Sequence, residues 1–401
     1  MAEAYLFEGL KVLDVGTWIA APVAATMLAD YGADVIKIEQ PELGDGYRNF
    51  APAVALAGTD ANYTWHLDAR SRRSLALNLK TAQGMAILHR MVADCDVYVT
   101  NQPLSMRREL SLTYEDLAPL NERMIYASLT AYGEQGPERD VEGFDMVAYW
   151  ARSGLMDNVR STGAAPTQAL PGMGDHPTGV AMYANILTAL LRREKTGKGS
   201  HVHTSLLANG LWSASCVVQS GLAGGDLSDY PQRRARSYTS IPYETADGRW
   251  LVFTMVRTQE ALDSLFAIAG IPELLADERF ATPEARAANG ELIVEHLGAR
   301  LKTRTAQAWM AEFQAAGVPG FVAATVESVQ EDEQVLVNNM LLDAPEGMGM
   351  DQVVDHPLNQ EGLPRKPLDP APELGEHSRE VLAEFGFSDS EIDQLAADGV
   401  I

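Results

Sequence analysis

Residues 10–39 read LKVLDVGTWIAAPVAATMLADYGADVIKIE. The first six of these, LKVLDV, are rich in residues that favour extended backbone. Residues 22–31 are small or apolar at helical spacing, and Gly32 stops them. Residues 34–39, DVIKIE, form a second extended run. Strand, turn, helix and strand within so short a stretch make a βαβ unit, and such a crossover joins strands that lie parallel.

Working outward, the alternation continues. Residues 74–79 (SLALNL), 96–100 (DVYVT) and 124–129 (MIYASL) predict three more strands. A helix is predicted over 81–94, with Met85, Leu88, Met91 and Val92 on its apolar face. Residues 201–205 and the helix after them extend the sheet. The expected fold is α/β, with a Rossmann-like large domain built on a parallel sheet. The pattern breaks near 222–245, where Gly224, Gly225, Asp226, Pro231, Arg233, Arg234 and Arg236 read as a linker. A smaller α/β unit follows, with a strand at 250–255 and helices to about residue 316. Residues 343–372 are rich in Gly, Pro and Asp without a clear period, and 378–385 and 388–397 read as helices. There is no internal repeat.

The 401 residues are 46% hydrophobic and 21% charged, with a formal net charge of -24. That composition suits a large buried core rather than a disordered chain. The negative balance argues against nucleic acid or an anionic membrane as a general partner. No run of 18 apolar residues is present, and the first residues carry neither a basic nor a long apolar segment, so a cytoplasmic protein is expected. The two cysteines, Cys95 and Cys216, read as buried reduced thiols. No metal-ligand spacing is visible; His201 and His203 share one strand face but lack a third ligand.

The first turn, Gly16-Thr17-Trp18-Ile19-Ala20-Ala21-Pro22, has one glycine where a dinucleotide fold needs three, which disfavours a nicotinamide cofactor. The most informative later stretch is Pro171-Gly172-Met173-Gly174-Asp175-His176-Pro177-Thr178-Gly179, with a helix predicted from about Thr178 to Arg193. An Asp two residues before a Pro is a good helix N-cap. The other reading is a carboxylate nucleophile, with glycines leaving room for a bulky substrate. Spacing alone favours the cap. Basic clusters at Arg70, Arg72 and Arg73 and at Arg107 and Arg108 flank predicted strands; solvated surface charge is the competing reading.

Several blocks in order resemble the class III coenzyme A transferases, the group containing the formyl-coenzyme A:oxalate, carnitine and bile-acid enzymes. They are LKVLDVGTWIAAP (10–22), LADYGADVIKIEQPELGD (28–45), RRSLALNLKTAQG (72–84), GFDMVAYWARSG (143–154), GMGDHPTG (172–179), LTALLRREKTGKGSHV (187–202) and PELGEHSREVLAEFGFSDSEIDQL (372–395). The resemblance implies a large coenzyme A-binding domain begun by residues 1–222 and completed by 326–401, a small domain at 223–325, and a homodimer of two subunits threaded like linked rings. It implies transfer of coenzyme A from an acyl thioester to a free acid, with Asp175 as nucleophile and no permanently bound cofactor.

By position, it places coenzyme A against Ile19, Ala20, Arg73, Leu77, Asn78, Leu79, Lys80, Asn101, Gln102, Pro103, Arg108, Phe144 and Asp145. The chain departs from the family pattern at Asn101-Gln102-Pro103-Leu104-Ser105, at Gln40 and over residues 236–244, which bears on nucleotide contacts and on oxalate as acceptor. Trp18, Tyr47, Phe50, Trp65, Tyr149, Trp150 and Tyr238 are candidates for the acyl pocket. Arg48, His66 and His176 are candidates for holding the acceptor carboxylate.

Two other classes fit parts of the pattern. An α-methylacyl-coenzyme A racemase would use a His in a Gly-His-Asp block, but Phe144 stands there and cannot exchange a proton. A non-catalytic acyl-coenzyme A binding protein would have no need of Asp175 in its Gly-rich frame.

Overall fold

The computed structural model describes residues 4–51, 59–161, 163–228 and 238–401. Pro231, Arg233, Arg234 and Arg236 lie outside the described residues. Two compact units result, one from residues 1–156, 168–219 and 337–401, the other from 157–167 and 220–336.

The larger unit is built on a six-stranded parallel sheet: β1 (Lys11–Asp14), β2 (Asp34–Glu39), β3 (Arg73–Ala76), β4 (Val97–Thr100), β5 (Ile125–Thr130) and β6 (Ser200–Ser205). The strand order is β3-β2-β1-β4-β5-β6, so the chain reverses its direction of travel between β1 and β4. In such sheets the carboxyl ends at the reversal open a crevice. Val12, Val35, Val97, Ile125 and Ala127 face one core, while Leu13, Ile36, Leu75, Tyr98 and Tyr126 face a second on the other side. Burial on both faces explains why these strands read as apolar runs.

Helix α1 (Ala20–Asp30) is buried along its whole length. Its small residues let the long helix α2 (Asp175–Thr196) lie close: a Cβ on Gly179 would stand 2.8 Å from Val23 Cγ1 and 2.9 Å from the Ala20 carbonyl oxygen. Gly197, with φ of +71°, ends α2 in the left-handed conformation.

The last stretch of chain closes the large unit. The Arg365 guanidinium bonds Asp355 and reaches Asp30, which also holds Arg70 at 2.8 Å. Val381, Leu382, Ile392 and Leu395 fill the second core, and the Asn78 N–H donates to the Val400 carbonyl at 2.8 Å. The region expected to lack periodicity contains a short antiparallel hairpin, Leu341–Asp343 with Gln352–Val354. The smaller unit has a three-stranded antiparallel sheet, Tyr243–Glu244, Trp250–Val252 and Phe321–Val322, with helices that include Gln259–Ile268, Gly290–Leu301 and Ala306–Ala315. Among the described residues, no helix is long and apolar enough to cross a membrane. One expectation fails here: Cys95 is buried, but Cys216 is exposed on the helix Ser215–Leu222.

Candidate active site

The loops after β1, β4 and β5 meet at the reversal point and enclose a cavity of about 510 Å³. The turn Thr17–Ala20 forms one side and Asn101–Leu104 another. The segment 139–146 and the start of α2, with Pro171, Gly172 and Asp175, complete it.

Asp175 is the first residue of α2, and Gly174 rather than Asp175 is the N-cap. Asp175 is 9% exposed, and its carboxylate accepts no hydrogen bond among the described residues. The capping role that spacing favoured is therefore not the one it performs. Burial first, and then the charge of Asp145, push its carboxyl up to about 7; His176 pulls the other way, and Asp68 adds a lesser push. At neutral pH the group is poised between its two forms.

Neighbouring groups fix it in place. The Asp145 carboxylate accepts the Gly174 N–H at 2.9 Å and the Met146 N–H at 2.7 Å, so it ties the glycine loop to the π-helical turn Met146–Ala151. Gly174 must be glycine because a Cβ would stand 2.6 Å from the Tyr149 ring. His176 spends both ring nitrogens, Nε2 on Asp68 at 3.0 Å and Nδ1 on the Gly172 carbonyl at 3.0 Å. Burial works against charge on this imidazole, but Asp68 outweighs it and raises its pKa. Asp68 also accepts the Tyr47 hydroxyl at 2.7 Å. The chain Tyr47–Asp68–His176 left little trace in the sequence, since Asp68 sits in a stretch with no predicted element.

Of the predicted site residues, Ile19, Ala20, Asn101, Gln102, Pro103, Phe144, Asp145 and Asp175 line the one cavity. Others do not. Arg73 starts β3 at the amino end of the sheet, away from the cavity, and is spent on Asp34, Glu380 and Glu384. Leu77 and Leu79 point into the second core, and Asn78 is held by Val400. Lys80 is exposed beyond β3. Arg108 is not among the lining residues but pairs at 2.7 Å with Asp140, which is.

Among the aromatic candidates, Trp18 and Phe50 line the cavity, whereas Tyr47, Trp65, Tyr149 and Trp150 are buried core. Tyr238 packs in the smaller unit. Arg48 is not free for an acceptor, because it forks onto Glu39 at 2.7 Å and stacks 4.1 Å over Trp65. His66 is taken by the Ala371 N–H at 3.1 Å. Sequence reading passed over Glu134, which gathers Ser128, Arg107 and His201 beside β5.

Fold and site together define a doubly wound α/β protein that presents a buried, unpaired carboxylate to a cleft at its topological switch point. The chain belongs to CoA-transferase family III, whose model matches residues 7–378. It is 30% identical to the (R)-2-hydroxy-4-methylpentanoate CoA-transferase of Clostridioides difficile, over 99% of each chain. It is 31% identical to the cinnamoyl-CoA:phenyllactate CoA-transferase of Clostridium sporogenes, over 98% of this chain and 96% of the relative. A solved structure of a CAIB/BAIF family protein from Brucella suis superposes with a TM-score of 0.83 at 28% identity, over 96% of this chain and 100% of the other.

Proposed function

We propose that this CoA-transferase works through covalent intermediates on Asp175. One observation carries the reading: a buried carboxylate at the mouth of α2 accepts no hydrogen bond among the described residues, although a helix start is where an Asp ordinarily caps.

In the proposed cycle an Asp175 oxygen attacks the thioester carbonyl. The C–S bond breaks, coenzyme A leaves as thiolate, and a mixed anhydride remains. The thiolate then attacks the aspartyl carbonyl, the anhydride C–O bond breaks, and the donor acid leaves as carboxylate. An acceptor carboxylate next attacks the aspartyl thioester and releases thiolate again. Attack of that thiolate on the acceptor carbonyl yields the new thioester and regenerates Asp175. No net proton moves in any step, so no general base is required. The positive end of α2 favours the negative charge that gathers at each tetrahedral stage. The relatives' names support transfer over racemisation, and Phe144 supplies no base for the latter.

Ile19, Ala20, Asn101, Gln102, Pro103, Phe144 and Asp145 are the proposed coenzyme A contacts nearest Asp175, with Lys80 and Arg108 further out. The unit closed by residues 337–401 is the proposed coenzyme A-binding domain. The linked-ring homodimer is likewise a proposal. It is supported by exposed apolar side chains on the helices that follow β6, where Trp212 is 79% exposed and Leu211 and Leu222 lie nearby in the chain. Such a surface suits a partner more than water. A cytoplasmic location accompanies this reading, since the proposed donor is a coenzyme A thioester.

The test is trapping. The protein is incubated with a panel of acyl-coenzyme A thioesters, treated with hydroxylamine and digested for mass spectrometry. A thioester-dependent hydroxamate on the Asp175 peptide is expected. No mark with any thioester, together with α-proton exchange into deuterated water, would overturn the reading.

A further inference from the structure

Trp18 stands in the turn after β1 with φ of +62°, a backbone region that bulky residues avoid. Neighbours hold it there. The buried Asp45 carboxylate accepts the Trp18 N–H at 3.0 Å and the Tyr47 N–H at 3.0 Å. The buried Lys37 ammonium pairs with Asp45 at 2.9 Å and donates to the Gly16 carbonyl at 2.6 Å. The turn is thus gripped on both sides of Thr17.

This grip decides where the indole lies. Its ring centroid is 5.1 Å from Phe144 and 6.1 Å from Phe50, both edge-on. A Cβ on Gly46 would stand 3.2 Å from Trp18 Cζ2, so a side chain there would crowd the ring. Trp18, Phe50 and Phe144 line the same cavity as Asp175, and Phe144 is 58% exposed.

The charges of that cavity point the same way. Asp140, Glu142 and Asp145 line it beside Asp175. Its lining cation, Arg139, lies 3.4 Å from Asp140, and Arg108 goes to Asp140 as well. Arg48 and His176 are already spent on Glu39 and Asp68. A second carboxylate on a substrate would meet carboxylates and committed cations.

We infer that the acyl groups transferred are those of monocarboxylic acids with an aromatic or branched-hydrocarbon tail, and that Trp18 is the residue that selects them. The inference rests on the transfer reading above. A hydrocarbon tail buries against the three rings, whereas an anionic tail loses water and gains repulsion.

The experiment compares donors at a fixed concentration of 3-methylbutanoate, an acceptor of the inferred class that differs from every donor acid. 3-Phenylpropionyl- and 4-methylpentanoyl-coenzyme A are expected to exceed glutaryl- and succinyl-coenzyme A in kcat/KM by about tenfold or more. Parity, or a preference for the dicarboxylic donors, overturns the inference and leaves the transfer reading standing. Turnover of no donor overturns the transfer reading and the inference with it. In Trp18→Ala, the ratio of kcat/KM for the phenylpropionyl over the acetyl thioester is expected to fall about tenfold, and Trp18→Phe should keep most of it. An unchanged ratio in Trp18→Ala overturns the role of Trp18. Trp18→Leu gives the same comparison if the alanine variant does not fold.

Discussion

The Asp145 carboxylate holds the Gly174 N–H at 2.9 Å, so the residue before the proposed nucleophile hangs from a second carboxylate. Asp145 thereby positions the Asp175 loop and also raises the Asp175 pKa by its charge. Asp145→Asn removes the charge and keeps one acceptor oxygen. The proposed cycle needs ionised Asp175, so kcat/KM should rise with pH through about 7 in the wild type. In Asp145→Asn this rise should move to lower pH. A pH profile that does not move would show that the Asp145 charge is not felt at Asp175.

Asp175 itself should be held at the expense of stability. Its carboxyl sits at about 7 in the folded chain against an ordinary 3.8, so the folded state binds the proton more tightly than the unfolded state. Stability therefore falls as pH rises from about 4 to about 7 and is level beyond. The gap between the two values corresponds to roughly 4 kcal/mol. Asp175→Asn should abolish transfer and yet melt higher than the wild type at pH 8, with the difference shrinking toward pH 4. Equal melting temperatures at pH 8 would count against a buried, destabilised carboxylate.

Arg107 is fully buried, pairs with Glu134 at 2.9 Å and donates to the Gln102 carbonyl at 3.0 Å. Burial works against the Glu134 charge, but His201, Ser128 and Arg107 overcome it and hold the carboxyl far below the usual range. Arg107→Met takes one partner from that carboxylate and leaves Ser128 and His201, and removing one partner of a buried pair costs up to about 3–5 kcal/mol. Urea unfolding should show the loss. The KM for the thioester should also rise, because Gln102 lines the cavity.

At Gly179, α2 lies against α1 with no room for a Cβ. Gly179→Ala puts a methyl into the Val23 side chain and the Ala20 carbonyl, an overpacking that costs about 1–3 kcal/mol. Because Asp175 begins the same helix, kcat should fall while far-UV circular dichroism stays native. Full activity would mean that α2 can shift without moving its first residue.

The inner strands were legible because burial on both faces turns them into apolar runs, whereas β6, SHVHTS, is only partly buried. Residues 34–39 were read to the residue, and the others to within a few. The helix predicted from Thr178 begins three residues earlier, since His176 and Pro177 fit a first turn as well as a loop. Asp175 was singled out by its glycines, but its freedom from capping is a fact of geometry. Arg73 misled for the same reason. A basic residue beside a strand looks alike at either end of a sheet, and only the fold shows that Asp34, Glu380 and Glu384 claim it. The Lys37–Asp45 clamp was unreadable, because nothing local tells that residues eight apart grip a third segment.

The bond between Asn78 and Val400 has a meaning for biosynthesis. Residues 1–156 leave the ribosome long before 337–401 arrive to cover the face that Val381, Leu382 and Ile392 will fill. During translation, that apolar surface of the newborn sheet stands open, a state that invites aggregation and calls for chaperone cover. Residues 337–401, made after the six strands, are thus the ones that end the exposure, and a chain stalled before them would lack that cover.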